Sequence, residues 1–244
     1  MKIVATIEAR MTSSRLPGKP LLLAEGISML EHLVRRLKTC ISLDQIILAT
    51  TTNQADDILV QHAETLDIKI FRGSEEDVLQ RVLDAAIFYE ADVIVEITGD
   101  CPVIDPQLIE QAISIYKNND VDYVSNGNIR SYPDGMDVQI FRTDVLSKSA
   151  SMTQDPLDRE HVTLHIRNNL ELFSRINIIS PPELYWPDLG LTLDEKDDYE
   201  LLKKIISYFE TVNPIFSCHE VINYLKENKY LLSINSSVSR KGDT

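Results

Sequence analysis

Short apolar runs alternate with amphipathic segments over most of this chain of 244 residues. Runs rich in β-branched residues, at 2–7, 45–51 and 92–98, have the length and composition of buried strands. The segments between them repeat apolar residues at intervals of three and four, which is the spacing of amphipathic helices. This alternation predicts an α/β fold, a mostly parallel sheet with helices on both faces. In such sheets, ligands bind at the carboxyl ends of the strands.

Further elements follow from the same patterns. Helices are predicted at 27–37, 55–66, 106–116 and 158–172, with two more helical segments within 205–226. Strands are predicted at 68–71, 121–125, 137–141 and 189–194. The chain is long enough for one buried core, and no linker or repeat divides it. We therefore expect a single domain over residues 1–230, followed by a polar, flexible tail at 231–244.

The overall charge restricts the partners of the chain. It has 38 acidic and 24 basic residues, which give a formal net charge of −14 at pH 7. Nucleic-acid-binding surfaces are basic, so we expect no nucleic-acid partner. No apolar run has the length of a membrane span, and the N-terminus leads directly into a strand. We therefore expect no membrane partner and a cytoplasmic location.

A basic loop, Ala9–Lys19, follows the first predicted strand. It reads ARMTSSRLPGK and carries three cations, Arg10, Arg15 and Lys19, with three hydroxyl side chains between them. Such a loop suits an anionic ligand, because its N–H groups and cations can surround phosphate oxygens. On residue types alone, a solvent-exposed basic turn is the better explanation of the same residues. The commonest phosphate-binding motifs, G-x-x-x-x-G-K-[ST] and G-x-G-x-x-G, are absent from the sequence.

The pattern A-R-x-x-S-x-R-L-P-G-K in this loop resembles the opening signature of the sugar cytidylyltransferases. This family includes the CMP-Kdo and CMP-sialic acid synthetases, and the resemblance is greatest to its spore-coat polysaccharide (SpsF) branch. It implies a Rossmann-like nucleotide-diphospho-sugar transferase fold. The implied nucleotide-binding residues of the loop are Ala9, Arg10, Ser14, Arg15 and Lys19. Three of these, Arg10, Arg15 and Lys19, are implied as catalytic residues that hold the phosphates and stabilise the departing pyrophosphate.

Two aspartates are candidate metal ligands. Asp100 follows the predicted central strand 92–98, beside Gly99, and a carboxylate in this position suits Mg²⁺ on substrate phosphates. A turn or helix cap explains Asp100 as well on local grounds. The resemblance implies that Asp100 binds the metal and that Asp194, at the end of the predicted strand 189–194, is the second ligand. We therefore expect Mg²⁺ as cofactor.

A second loop, Arg72–Arg81, leads into a predicted helix. Ser74 is a natural N-cap there, with Asp77 three residues later as its capping-box partner. The resemblance adds that this loop approaches the nucleotide, so that Ser74 contacts the base and Arg72 faces phosphate or sugar.

Residues 126–175 contain the implied acceptor site. Asp137 is a candidate for binding sugar hydroxyls, and Gln139 stands where the SpsF-like pattern usually has an acid. The string R-E-H-V-T matches the same pattern and implies an acceptor-binding or subunit-interface role for Arg159, Glu160 and His161. The resemblance also implies that this stretch forms an insert lobe that pairs subunits, so we expect a homodimer.

The function implied by the resemblance is the CTP-dependent activation of an acidic or deoxy sugar to a CMP-sugar, with release of pyrophosphate, for surface polysaccharide biosynthesis. CTP and a sugar acceptor are the expected partners. A glycosyltransferase of the same fold is an alternative, although Gly99-Asp100-Cys101 lacks the second acid of a D-x-D motif. The other alternative is a non-catalytic nucleotide-binding subunit of polysaccharide assembly, for which Gln139 leaves room.

Overall fold

The computed structural model describes residues 1–239 and is organised around a seven-stranded sheet. The strands are β1 (Ile3–Glu8), β2 (Leu23–Ala24), β3 (Ile27–Ser28), β4 (Gln45–Thr51), β5 (Lys69–Gly73), β6 (Val93–Thr98), β7 (Tyr123–Ser125), β8 (Gln139–Arg142) and β9 (Arg175–Asn177). The helices are α1 (Met29–Leu37), α2 (Asp57–Thr65), α3 (Val78–Phe88), α4 (Pro106–Lys117), α5 (Thr143–Met152), α6 (Pro156–Glu160), α7 (Leu164–Asn168), α8 (Lys196–Glu210) and α9 (Cys218–Glu227). Short 3-10 helices lie at Lys19–Leu21, Gln54–Asp56, Pro182–Leu184 and Lys229–Ser233.

The strand order of the sheet is β5-β4-β1-β6-β8-β7-β9. Neighbouring strands are parallel from β5 to β6, whereas β8 runs antiparallel to both β6 and β7. β9 is parallel to β7. The expected mostly parallel, Rossmann-like α/β fold is therefore confirmed. β2 and β3 form a separate two-stranded hairpin.

Two apolar layers cover the sheet, one on each face. Ile3, Ala5 and Ile7 of β1 point into a large core with α1, α4, α8 and α9, while Val4 points into a smaller core with α3, α5 and α7. This division follows from the two-residue period of a strand. Residues 126–175 contribute β8 to the sheet and α5, α6 and α7 to the layer over one face.

Several predicted elements differ from the structure. The helix predicted from residue 27 begins at Met29, because residues 27–28 pair in the hairpin and the Ser28 hydroxyl accepts the Glu31 N–H (3.0 Å). The predicted helix 158–172 is two short helices, since the backbone leaves helical geometry at His161. The predicted strand 189–194 does not form within the described chain; only a single bridge joins Gly190 to Asp134.

Part of the expected flexible tail packs against the domain. Leu231 and Asn235 are buried. The Asn235 amide donates to the Gly190 carbonyl (3.0 Å) and to Asp198 Oδ1 (2.9 Å). Residues 240–244 of the tail lie outside the described residues. Among residues 1–239, no helix combines the length and the apolar character needed to cross a membrane.

Candidate active site

A cavity of about 430 Å³ opens at the carboxyl ends of β1 and β6. Most of the residues predicted from the sequence line it: Ala9, Arg10, Ser14, Arg15, Lys19, Asp100, Asp137, Glu160, His161 and Asp194. Three others, Arg72, Ser74 and Arg159, lie in the described structure outside the lining of this cavity. The loop 9–19 and the implied acceptor site therefore share one space.

The basic loop is fixed by a buried carboxylate. The Met11 N–H donates to Asp56 Oδ1 (2.7 Å), and the hydroxyls of Thr50 and Thr51 donate to Asp56 Oδ2. The Gly18 N–H closes the loop on the Met11 carbonyl (2.9 Å). Gly18 has a φ of 73°, a conformation that favours glycine, and it leads into the 3-10 helix that begins at Lys19.

Lys19 lies between the two candidate metal ligands. Its Nζ is 3.1 Å from Asp100 Oδ2 and 3.3 Å from Asp194 Oδ1. Burial opposes the ionisation of Asp100, but the Lys19 ammonium and a Thr98 hydrogen bond outweigh it and hold the pKa of this carboxyl below its usual range. Burial opposes the charge of Lys19 in the same way, and the two carboxylates outweigh it and raise the pKa of Lys19. Lys19 and Asp100 therefore stabilise each other in their charged forms.

Two backbone features bring Asp100 and Asp194 together. A Cβ on Gly99 would lie 2.6 Å from the Glu8 carbonyl oxygen, so only glycine lets the end of β6 approach the end of β1 this closely. The Leu193 N–H donates to the Asp100 carbonyl (2.8 Å), which places the next residue, Asp194, against Asp100. The pairing of distant aspartates thus depends on a backbone hydrogen bond, although the predicted strand before Asp194 does not form.

The other two predicted catalytic cations also contact carboxylates. Arg15 Nη2 is 2.8 Å from Asp194 Oδ1, and Arg15 Nη1 is 4.0 Å from Glu195 Oε1. Arg10 Nη1 is 3.4 Å from Glu75 Oε1, which also accepts a hydrogen bond from the Thr12 hydroxyl (2.6 Å). Each cation of the loop thus has an anionic partner that a phosphate group can replace.

Arg72 and Ser74 hold neighbouring chain segments together. Arg72 donates to the carbonyls of Thr51 and Asn53 (both 2.8 Å) and pairs with Asp57 (2.6 Å). The predicted capping box at Ser74 is wrong. Asp77 is itself the N-cap of α3 and accepts the Gln80 N–H (2.9 Å), while Ser74 Oγ accepts the Asp77 N–H (3.0 Å). Because Ser74 closes a turn, the helix begins one turn later than expected.

The residues of the R-E-H-V-T string, 159–163, make different kinds of contact. Arg159 points away from the cavity and clamps α6 to the start of α3, with Nε 2.9 Å and Nη2 2.5 Å from Asp77 Oδ2. At the other end of the string, the Thr163 hydroxyl donates to Gln139 Oε1. Glu160 and His161 lie between these two anchors and line the cavity.

Gln139 is held by the protein. Its Oε1 accepts the Tyr123 hydroxyl (2.6 Å) as well as the Thr163 hydroxyl. Asp137, two residues earlier, lines the cavity, and a Cβ on Gly127 would lie 2.9 Å from its Oδ1. The amide oxygen that replaces the expected acid therefore joins β8, β7 and the segment between α6 and α7.

A family comparison agrees with this geometry. A model of a family described as cytidylyltransferase matches residues 4–237. The chain belongs to the cytidylyltransferase family.

Individual relatives of this cytidylyltransferase extend the comparison. The spore coat polysaccharide biosynthesis protein SpsF of Bacillus subtilis is 33% identical over 232 residues, which cover 93% of this chain and 95% of that protein. The 8-amino-3,8-dideoxy-manno-octulosonate cytidylyltransferase of Shewanella frigidimarina is 34% identical over 124 residues, about half (49%) of each chain. The structure of a cytidylyltransferase from Leptospira borgpetersenii serovar Hardjo-bovis superposes with a TM-score of 0.90 at 34% identity, over 99% of this chain and 100% of the other. The chain is therefore a nucleotidyltransferase.

Several residues of the enzyme's cavity were not predicted from the sequence. Glu8, Arg81, Glu96, Arg130, Asp134 and Arg167 also line it. Glu96 could have been recognised from the sequence, because it interrupts the otherwise apolar strand Val93–Thr98. Charged side chains are rarely buried in such strands unless they are paired. The others come from separate elements, and only the folded sheet brings them together.

The donor chemistry at Asp100 and Asp194 fits a divalent cation. Carboxylate oxygens are preferred ligands of Mg²⁺, and the lowered pKa of Asp100 keeps it ionised. Within residues 1–239, no group of three or more His, Cys, Asp and Glu side chains is placed to hold a metal ion. A Mg²⁺ ion at these two residues would therefore need phosphate and water oxygens to complete its coordination.

Proposed function

We propose that this enzyme transfers the cytidylyl group of CTP to a sugar for surface polysaccharide biosynthesis. An oxygen of the acceptor forms a bond to the α-phosphorus of CTP, the bond from that phosphorus to the bridging oxygen breaks, and pyrophosphate leaves with the electron pair. The family supports the nucleotidyl transfer and the cytidylyl group. The sugar acceptor is supported by the likeness to SpsF and to the octulosonate enzyme.

The observation that carries this proposal is the meeting of Lys19, Asp100 and Asp194 in the cavity that the basic loop also lines. In the proposed complex, Lys19, Arg15 and Arg10 exchange their carboxylate partners for phosphate oxygens of CTP. They then neutralise the charge that develops on the departing pyrophosphate. Asp100 and Asp194 would hold Mg²⁺, which would supply Lewis-acid polarisation of the phosphoryl oxygens. Asp137, Glu160 and His161 lie on the side of the acceptor.

The proposal is tested by measuring pyrophosphate release from each of the four nucleoside triphosphates with Mg²⁺. The reactions contain a panel of acidic, deoxy and amino sugars, and mass spectrometry searches for nucleotide-linked products. We expect release with CTP alone and a product heavier than the acceptor by one cytidylyl group. Release from another triphosphate in preference to CTP, or transfer of sugar from a nucleotide sugar, contradicts it.

A matched pair of variants tests whether the cavity is the site of this reaction. Lys19→Met is expected to lower CTP turnover by about 100-fold or more, because one preorganised cation is removed from the phosphates. Lys117→Met, at an exposed position on α4, is the control and retains wild-type turnover. Equal rates for both variants place the reaction elsewhere.

A further inference from the structure

The acceptor side of the cavity has a polar floor built from one face of the sheet. Glu96 of β6 is directly opposite Gln139 of β8, and Gln139 is directly opposite Ser125 of β7. Residues opposite each other on paired strands point to the same face. Thr6 of β1 is paired with Glu96, so Glu8, two residues later, points to this face as well. All but Thr6 line the cavity.

Glu8 differs from the other members of this floor. Both of its carboxyl oxygens are inaccessible to solvent, and neither has a hydrogen-bond partner among residues 1–239. The Thr6 hydroxyl favours the ionised carboxylate without reaching hydrogen-bond geometry. Gln139, in contrast, has two donors on its amide oxygen. Glu8 therefore has hydrogen-bonding capacity that the protein itself does not use, and a rotation of its side chain towards the cavity would offer it to a ligand.

The nearest guanidinium group is engaged elsewhere. Arg81 of α3 is buried and lowers the pKa of Glu8 by its charge. Its Nε donates to the Ala49 carbonyl (3.1 Å), and its Nη1 donates to the Ser74 carbonyl. The pKa of Glu8 is nevertheless raised well above its usual value, first by burial and then by the charge of Glu96. Arg81 thus balances part of the charge and leaves the Glu8 oxygens without a donor.

A buried carboxyl without a partner destabilises a fold, so proteins keep very few of them. Those that persist are concentrated where a ligand completes the hydrogen bonds. At Glu8 the missing partner is a donor, an O–H or an N–H.

We propose that Glu8 is a specificity-determining residue of the acceptor site, which accepts a hydrogen bond from a hydroxyl or amino group of the sugar. This inference rests on the proposed function. It narrows the acceptor to sugars that present a neutral or cationic donor to the floor of the cavity.

The first test needs no acceptor. It compares the thermal unfolding midpoint of the wild type with those of Glu8→Gln and Glu8→Leu, beside Glu64→Gln and Glu64→Leu on the exposed face of α2. If Glu8 is kept for a ligand, both Glu8 variants have a midpoint close to that of the wild type, because the removal of an unpartnered carboxyl offsets the loss of its charge beside the buried Arg81. A midpoint lowered in both Glu8 variants, but not in the Glu64 variants, means that Glu8 is a structural residue, and it overturns the proposal.

The second test uses a matched pair of acceptors. The sugar that supports CTP-dependent pyrophosphate release is supplied in two forms that differ at one terminal carbon, with a hydroxyl or an amino group. 3-Deoxy-manno-octulosonate and its 8-amino-8-deoxy analogue form the first such pair. The wild type is expected to use the hydroxyl and amino forms. Glu8→Leu is expected to raise the acceptor KM by about tenfold with the CTP KM within twofold, and Glu8→Gln to retain most activity on the hydroxyl form.

The two proposals fail in different ways. No pyrophosphate release with any acceptor refutes the proposed function, and the unfolding measurement still decides the role of Glu8. Turnover with a Glu8→Leu effect on the CTP KM rather than the acceptor KM overturns the assignment of Glu8 while the proposed function stands.

Discussion

The two sides of the cavity differ in whether their charged or ionisable side chains have partners within the protein. On the phosphate side, Arg10, Arg15 and Lys19 each contact a carboxylate of the protein. On the acceptor side, Glu8 has two buried oxygens without a hydrogen-bond partner in the described structure. The charges on the proposed phosphate side are therefore balanced within the protein, whereas on the proposed acceptor side a carboxyl group has no partner that the protein supplies. Substitutions on the two sides should differ in whether they affect CTP or the acceptor.

The contacts on the phosphate side also differ among themselves. The side chains of Lys19 and Asp194 are each 14% exposed, so their interaction is weakly screened by solvent. Arg10 is 40% exposed and its partner Glu75 is 29% exposed, and ion pairs of this kind contribute little to stability. The inner ion pairs should therefore matter for both folding and turnover, and the outer pair mainly for ligand binding.

The largest effect is expected for Asp100→Asn. Removal of this carboxylate takes away a ligand of the proposed Mg²⁺ and the closest anionic partner of Lys19. We expect CTP turnover to fall by about 1,000-fold and the Mg²⁺ concentration for half-maximal activity to rise. Rates measured over a Mg²⁺ titration test this. Asp120→Asn, at an exposed site after α4, is the matched control. An unchanged titration curve for Asp100→Asn would remove it from the metal site.

An intermediate effect is expected for Arg15→Gln. Its guanidinium is 31% exposed and pairs with Asp194, so the free energy of unfolding should change by less than about 1 kcal/mol. Turnover should fall by about 100-fold, because a cation is lost from the pyrophosphate that leaves. Initial rates and denaturant unfolding are measured on the same preparations, with the exposed Arg35→Gln as control. A near-normal rate would show that Arg15 has no part in phosphoryl transfer.

The phosphate side is also the side that the sequence predicts better. The loop 9–19 is a continuous stretch, and Asp100 directly follows the apolar strand β6, so local pattern is enough to place them. The strands β4 and β6 were recognisable for the same reason. The resemblance paired Asp194 with Asp100, and the two lie close together although the predicted strand is absent, because the Leu193–Asp100 backbone hydrogen bond joins the two segments.

Tertiary contacts explain most of what the sequence did not predict. The helix predicted at 158–172 is interrupted near Thr163, whose hydroxyl bonds Gln139 across the layer. Arg159 matches the expected string, yet it clamps Asp77, which is distant in sequence. Glu8 follows the predicted strand 2–7, and no role was predicted for it. The environment of Glu8 depends on Glu96 and Arg81, which come close to it only when the sheet and α3 are assembled.

The smallest effect is expected for Asp137→Ala, on the acceptor side. Asp137 lines the cavity beside Gly127, and its loss removes a hydrogen-bond acceptor for a sugar hydroxyl. The acceptor KM should rise by about tenfold, while the CTP KM stays within twofold. Steady-state kinetics with each substrate varied in turn separates the two constants, and Asp120→Ala controls for loss of a surface carboxylate. Asp137→Asn should recover part of the loss, because an amide oxygen still accepts a hydrogen bond. Equal increases in both KM values would mean that Asp137 supports the shape of the whole cavity. The difference between the phosphate side and the acceptor side would then depend on Glu8 alone.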